Sequence, residues 1–171
     1  MSTVFLICGN TASGKSTYSM ELAKKYKAIP FSIDPWMQTL YGDDYIPQEH
    51  NFGWLIERTE RCKTQIRRVA ESLISQGISV IFDFGFGDVE SRKYYREWAL
   101  SQGAEVSLHF LDVPVEERRK RVHKRNEEKD ATFAFEITNE MFDYVESMFV
   151  QPSDDELRMG TRIVQTSNCH V

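Results

Sequence analysis

Two rhythms of apolar and polar positions run through the chain. Short apolar stretches at 4–8, 29–33, 78–82 and 106–111 have the length of strands, and 161–165 is expected to add a last one. Pro30, which lacks a ladder donor, suits an edge strand or a strand start. Between these stretches the spacing turns helical. Over 52–76, Leu55, Cys62, Ile66, Val69 and Leu73 fall on one stripe, and Gly77 follows where a helix ends in a left-handed residue. Asp88 is placed to cap a helix in which Tyr95, Trp98, Ala99 and Gln102 share a face, stopped by Gly103. Pro114 opens a helix from Val115 to about Glu127, and another is expected over 138–150. The stretch 36–51, broken by Gly42, Asp43, Asp44 and Pro47, is expected to hold a short helix and a loop. Strand alternating with helix predicts an α/β fold. Its five-stranded, mostly parallel sheet carries helices on both faces, in three layers. Ligands in such folds bind beyond the carboxyl ends of the strands.

Composition changes this picture little. A chain of 171 residues suits one domain, 1–171, with a sizeable core. The formal charge of -5 argues against a surface built mainly to hold nucleic acid. Cys8, Cys62 and Cys169 are widely spaced, which fits a reducing, cytoplasmic setting better than a disulfide framework. The longest apolar runs are far short of a membrane span, and no leader peptide is visible.

The sharpest signal follows the first strand: Gly9-Asn10-Thr11-Ala12-Ser13-Gly14-Lys15-Ser16, leading through Thr17 into a helix. Strand, Gly-x-x-x-x-Gly-Lys-Ser, helix is the context that makes a phosphate-cradling loop. Its glycines let backbone N–H groups turn inward, and the helix N-terminus adds a fixed partial positive charge. Lys15 brings a full charge to the β/γ-phosphates, and Ser16 is placed to hold Mg²⁺. A nucleoside triphosphate is the expected ligand.

Acids follow the later strands. Asp34 reads as a general base or orienting acceptor for an attacking hydroxyl, or else as a turn residue before Pro35. Asp83 closes a hydrophobic run and reads as a magnesium-side acid. On the helix from Val115, Arg118, Arg121 and Arg125 lie within about 60° of one another at 100° per residue. Guanidinium groups so placed suit clamping a polyphosphate; a solvated basic helix is the alternative. Arg121 and Arg125 are the first choices. Arg92 offers either a phosphate contact or a surface salt bridge. Trp36, Tyr41, Tyr45, Phe52 and Trp54 offer either a pocket wall or plain core, and the histidines read as structural or exposed.

Together these residues resemble P-loop kinases of the zeta-toxin-like, chloramphenicol-phosphotransferase-like and polynucleotide-kinase-like group. The resemblance rests on Gly9 to Thr17, Ser32-Ile33-Asp34, Val80-Ile81-Phe82-Asp83, and Leu111-Asp112-Val113-Pro114 with Arg121 and Arg125. It implies an adenylate-kinase-like fold with a small helical lid, roughly 115–150. It also implies ATP, or GTP, as donor, and an acid such as Asp34 activating a hydroxyl. Polynucleotide kinases of this type carry an Arg three residues after the strand-two acid; here Met37 stands there. With the net acidity, this turns the expectation from nucleic acid to a small-molecule hydroxyl acceptor. The expected activity is thus an ATP- and Mg²⁺-dependent phosphotransferase. A regulatory NTPase without an acceptor and a nucleic-acid 5′-hydroxyl kinase are the alternatives.

Overall fold

The computed structural model describes residues 1–44, 51–128, 137–158 and 160–164. Tyr45, His50, Cys169 and His170 lie outside them. Five strands, β1 (Thr3–Cys8), β2 (Ile29–Ser32), β3 (Val80–Gly85), β4 (Glu105–Asp112) and β5 (Thr161–Val164), form one sheet in the order β2-β3-β1-β4-β5. Every pairing between them is parallel. Pro30 lies in β2, which is an edge strand, where a missing N–H costs no ladder bond on the open side.

Period-two alternation sorts the side chains of the central strands to two faces. Val4, Leu6, Cys8, Val80 and Phe82 point to one core, and Phe5, Ile7 and Ile81 to the other. The first face is covered by α3 (Asn51–Ser75) through Ile66, Ala70 and Ile74, and by α4 (Val89–Ser101) through Tyr95 and Ala99. The second is covered by α1 (Lys15–Tyr26) through Leu22. A sandwich of helix, sheet and helix results, as the alternating pattern predicts. Trp36 of α2 (Ile33–Tyr41) packs against the first core. No helix among the described residues is long and apolar enough to cross a membrane.

Three elements differ from the reading of the sequence. β3 runs on through Asp83 to Gly85, because Asp83 still pairs with Ser32 at the rim of the sheet. Asp34 and Pro35 do not close β2 with a turn but sit in the first turn of α2. At 25 residues α3 is about 37 Å long. It overhangs the sheet, so Leu55 is half exposed while Cys62, Ile66, Ala70 and Ile74 form the buried stripe. The remaining helices are α5 (Val115–Glu128), α6 (Asn139–Met148) and a single turn, α7 (Asp154–Leu157), that hydrophobic periodicity passes over.

Arg92 belongs to neither role proposed for it. It is 2% exposed, and its Nε donates to Glu156 Oε1 at 2.6 Å while Nη2 reaches Oε2 at 3.3 Å. Nη1 donates to the carbonyls of Phe86 and Val150 at 3.0 and 2.8 Å. Arg92 thus ties α7 and the segment after α6 to the β3–α4 turn.

Candidate active site

At the carboxyl end of β1 the chain turns sharply between strand and helix. Ala12 has φ 58° and Gly14 φ 87°, the left-handed conformation that favours glycine. Gly9 N donates to Gly85 O at 3.0 Å and so anchors the loop to β3. A Cβ at Gly9 would sit 2.5 Å from Ser13 Oγ and 3.3 Å from Leu111 Cβ, so a larger residue there forces the Ser13 side chain to move. Helix α1 begins directly at Lys15, leaving its first N–H groups at the loop without intrahelical partners.

Lys15 Nζ donates to Asn10 O at 3.0 Å, folding the ammonium back over the loop. Burial pulls its pKa below the ordinary value, opposed chiefly by the charges of Asp83 and Asp34, while Arg118 pushes it further down. Ser16 Oγ donates to Asp83 Oδ2 at 2.8 Å. Burial raises the Asp83 carboxyl above the usual carboxylate range, opposed by Lys15 and the Ser16 hydrogen bond, with Asp34 raising it further. Asp34, exposed in the first turn of α2, is therefore within electrostatic reach of both. Lys15, Ser16, Asp34 and Asp83 meet at one rim, the carboxyl ends of β1, β2 and β3.

Two observations bear on what this rim could hold. Ser13 Oγ is buried with no hydrogen-bond partner, an orphaned hydroxyl in a loop lined by backbone N–H groups and an ammonium, which fits an anion rich in oxygens. A hydroxyl bonded to one carboxylate, with no group of three or more His, Cys, Asp or Glu among the described residues, suits Mg²⁺ shared with substrate phosphates.

The three candidate arginines of α5, Arg118, Arg121 and Arg125, are not equivalent. Arg118 is buried; its Nε donates to Val113 O at 3.0 Å and its Nη1 to Thr11 O at 3.4 Å, joining the phosphate loop. Its Nη2 donates to both oxygens of Glu146 on α6, at 2.8 and 2.7 Å. Arg121 Nε donates to Glu117 Oε1 at 3.1 Å, and Arg125 Nε is buried without a partner. Glu146 also accepts from Asn10 Nδ2 at 2.7 Å. Sequence reasoning passed over Glu146, since nothing local signals a carboxylate 136 residues from its partner. Of the aromatic group, Trp36 is partly buried against the core. Tyr41 and Trp54 meet edge to face at 6.1 Å, with the Arg58 guanidinium 4.2 Å from the Trp54 ring centre. His109 is buried between Tyr18 and Ser107, at 2.6 and 2.9 Å, and is structural.

A parallel sheet in this strand order, with a glycine-rich loop feeding a helix at its central strand, defines a P-loop kinase fold. Solved structures agree. A candidate kinase from Chloroflexus aurantiacus superposes with a TM-score of 0.73 at 14% identity, covering 96% of this chain and 84% of that one. Mycobacterium tuberculosis APS kinase, solved in complex with AMPPNP and APS, gives 0.62 at 19% identity, over 95% and 88%. A gluconokinase from Sinorhizobium meliloti gives 0.56 at 12% identity, over 95% and 82%. Identities this low speak to fold alone. No curated protein matches the chain. A family profile does, over residues 4–152, and the chain belongs to the AAA domain family.

Proposed function

We propose that the protein is a phosphotransferase that moves the γ-phosphate of ATP, or GTP, to a hydroxyl of a small molecule, with Mg²⁺ as cofactor. The observation that carries the reading is the meeting of Lys15, the Ser16–Asp83 pair and the field of Asp34 at one rim of the sheet. Residues Gly9 to Thr17 would cradle the triphosphate through backbone N–H groups, with Lys15 turned from Asn10 O to the β/γ-oxygens. Ser16 and Asp83 would hold the metal, directly or through water. The bound ion would neutralise charge shared between the β- and γ-phosphates. Asp34 would orient the acceptor hydroxyl and take its proton as the new P–O bond forms. Arg121 and Arg125 would neutralise charge developing on the transferred group. Phosphoryl transfer asks chiefly for alignment and charge neutralisation, and these groups supply both.

A small acceptor is supported by Met37, which puts a thioether three residues beyond Asp34, and by the net charge of -5. Two buried free thiols, Cys8 and Cys62, suit a reducing compartment. The test is a screen of hydroxylated metabolites, nucleosides and 5′-hydroxyl oligonucleotides for stimulated ADP release. Asp34→Asn should abolish transfer and spare nucleotide binding. Lys15→Ala should weaken binding about ten- to a hundredfold, the worth of a charge-assisted hydrogen bond. Hydrolysis indifferent to every acceptor would replace the kinase with a regulatory NTPase. Stimulation confined to oligonucleotides would replace the small acceptor with a nucleic-acid end.

A further inference from the structure

One carboxylate joins helix α6 to the phosphate loop. Glu146 Oε2 accepts from Asn10 Nδ2 at 2.7 Å, and both its oxygens accept from Arg118 Nη2. Asn10, 7% exposed, uses its other side-chain atom, Oδ1, to accept from Thr11 N at 2.7 Å. Arg118, 5% exposed, has its remaining bonds on Thr11 O and Val113 O. The side chain of Asn10 and both polar groups of the Thr11 backbone are thus fixed by one ion pair. The Phe142 ring, with its centre 5.5 Å from the guanidinium carbon, packs beside it.

Arg118 is already committed in this way, to two backbone carbonyls and both oxygens of a carboxylate. It is poorly placed to follow a moving phosphate. Its burial would be costly without Glu146, because a desolvated cation needs a partner with good geometry. Glu146 supplies that partner, with both of its oxygens within hydrogen-bond distance of the one nitrogen, Nη2. We propose that Glu146 and Arg118 are a positioning pair that fixes the first half of the phosphate loop, so that nucleotide affinity is set in part from α6. Its ligand arm rests on the phosphotransferase reading above; its mechanical arm does not.

The experiment therefore has two readouts. In the free protein, Glu146→Gln should speed amide exchange at Thr11 to Ser13 about tenfold or more, the loss of a charged hydrogen bond. Amides of β1, β3 and β4 should stay unchanged. With Mg-ATP, the same variant should raise Kd about tenfold while kcat at saturation changes much less, and Asn10→Ala should add little on top. Arg118→Met combined with Glu146→Gln removes both charges, and should regain thermal stability without regaining loop protection or affinity. A purely structural pair would regain all three, and that result overturns the proposal. Unchanged exchange at Thr11 to Ser13 also overturns it. So does tighter nucleotide binding by Glu146→Gln, which would mean that the carboxylate withholds Arg118 from phosphate. If the wild-type chain binds no nucleotide, the kinase reading falls and the exchange data still decide the brace.

Discussion

Removing the carboxylate of Glu156 should cost more than any surface ion pair can. Arg92 is 2% exposed and Glu156 26%, so the two partners are unequal. In Glu156→Gln the guanidinium stays buried with two carbonyl acceptors and a neutral amide where its counter-charge was. Breaking a buried pair from one side costs about 3–5 kcal/mol, a large share of the 5–15 kcal/mol that holds an ordinary domain together. At about 2–4 °C per kcal/mol for a chain of this size, the melting temperature should fall by roughly 6–20 °C. Arg92→Met should cost less, about 3 kcal/mol, because the part-exposed Glu156 can hydrate once its partner is gone. The double variant should recover part of the loss, since an apolar side chain in place of the cation leaves no buried charge. Circular dichroism melts and urea titrations read all three. A Glu156→Gln loss under about 1 kcal/mol, or a double variant as unstable as the sum of the singles, would refute the reasoning. The pair also sets a pH dependence. The Arg92 hydrogen bond holds the Glu156 carboxyl below its ordinary value, so the stabilisation is present above the unfolded value and lost as pH falls through the folded one.

Three further outcomes follow from the geometry. Gly9→Ala forces a Cβ to 2.5 Å from Ser13 Oγ and should distort the loop, weakening nucleotide binding with little change in melting temperature, as calorimetric titration would show. Asp83 is held above the usual carboxylate range by burial, so it protonates sooner as pH falls. The acid limb of kcat/KM should therefore lie above that of a free carboxylate, and vanish along with most activity in Asp83→Asn. Burial lowers His109 to about 4 from its ordinary 6.5. The unfolded chain then binds a proton that the folded one refuses, and stability should drop by about 3 kcal/mol between those values as pH falls. A flat stability curve over that window would contradict it.

The rim of the sheet was legible because its signals are local. Val4 to Cys8, the glycines of the loop and Lys15-Ser16 announce strand, turn and helix within a dozen residues, and Pro30 marked the edge strand in the same way. Asp88 and Gly103 bracket α4 as capping chemistry predicts. The turn at α7 was also readable, since Ser153 and Glu156 form a capping box with the Ser-x-x-Glu signature. Its four residues carry no period, which hid it from a search by hydrophobic spacing. Arg92 and Arg118 were not readable at all. Each is an arginine on a polar helix face until a carboxylate arrives from 64 or 28 residues away, and only tertiary packing makes that meeting. Period alone also overreached at Leu55, where α3 extends past the sheet that would have buried it.

The alternation along β3 has a consequence for folding fidelity. Phe82 and Phe84 stack at 4.9 Å on the side of α4, and Asp83 between them faces Ser16 on the side of α1. A molecule that paired β3 one residue out of step would push the carboxylate among aromatic rings and offer a phenyl group to the phosphate loop. The same misstep would thus forfeit both core energy and chemistry. A mispaired sheet could not persist as a stable but idle enzyme, because the residue that serves the loop is also the one that polices the register.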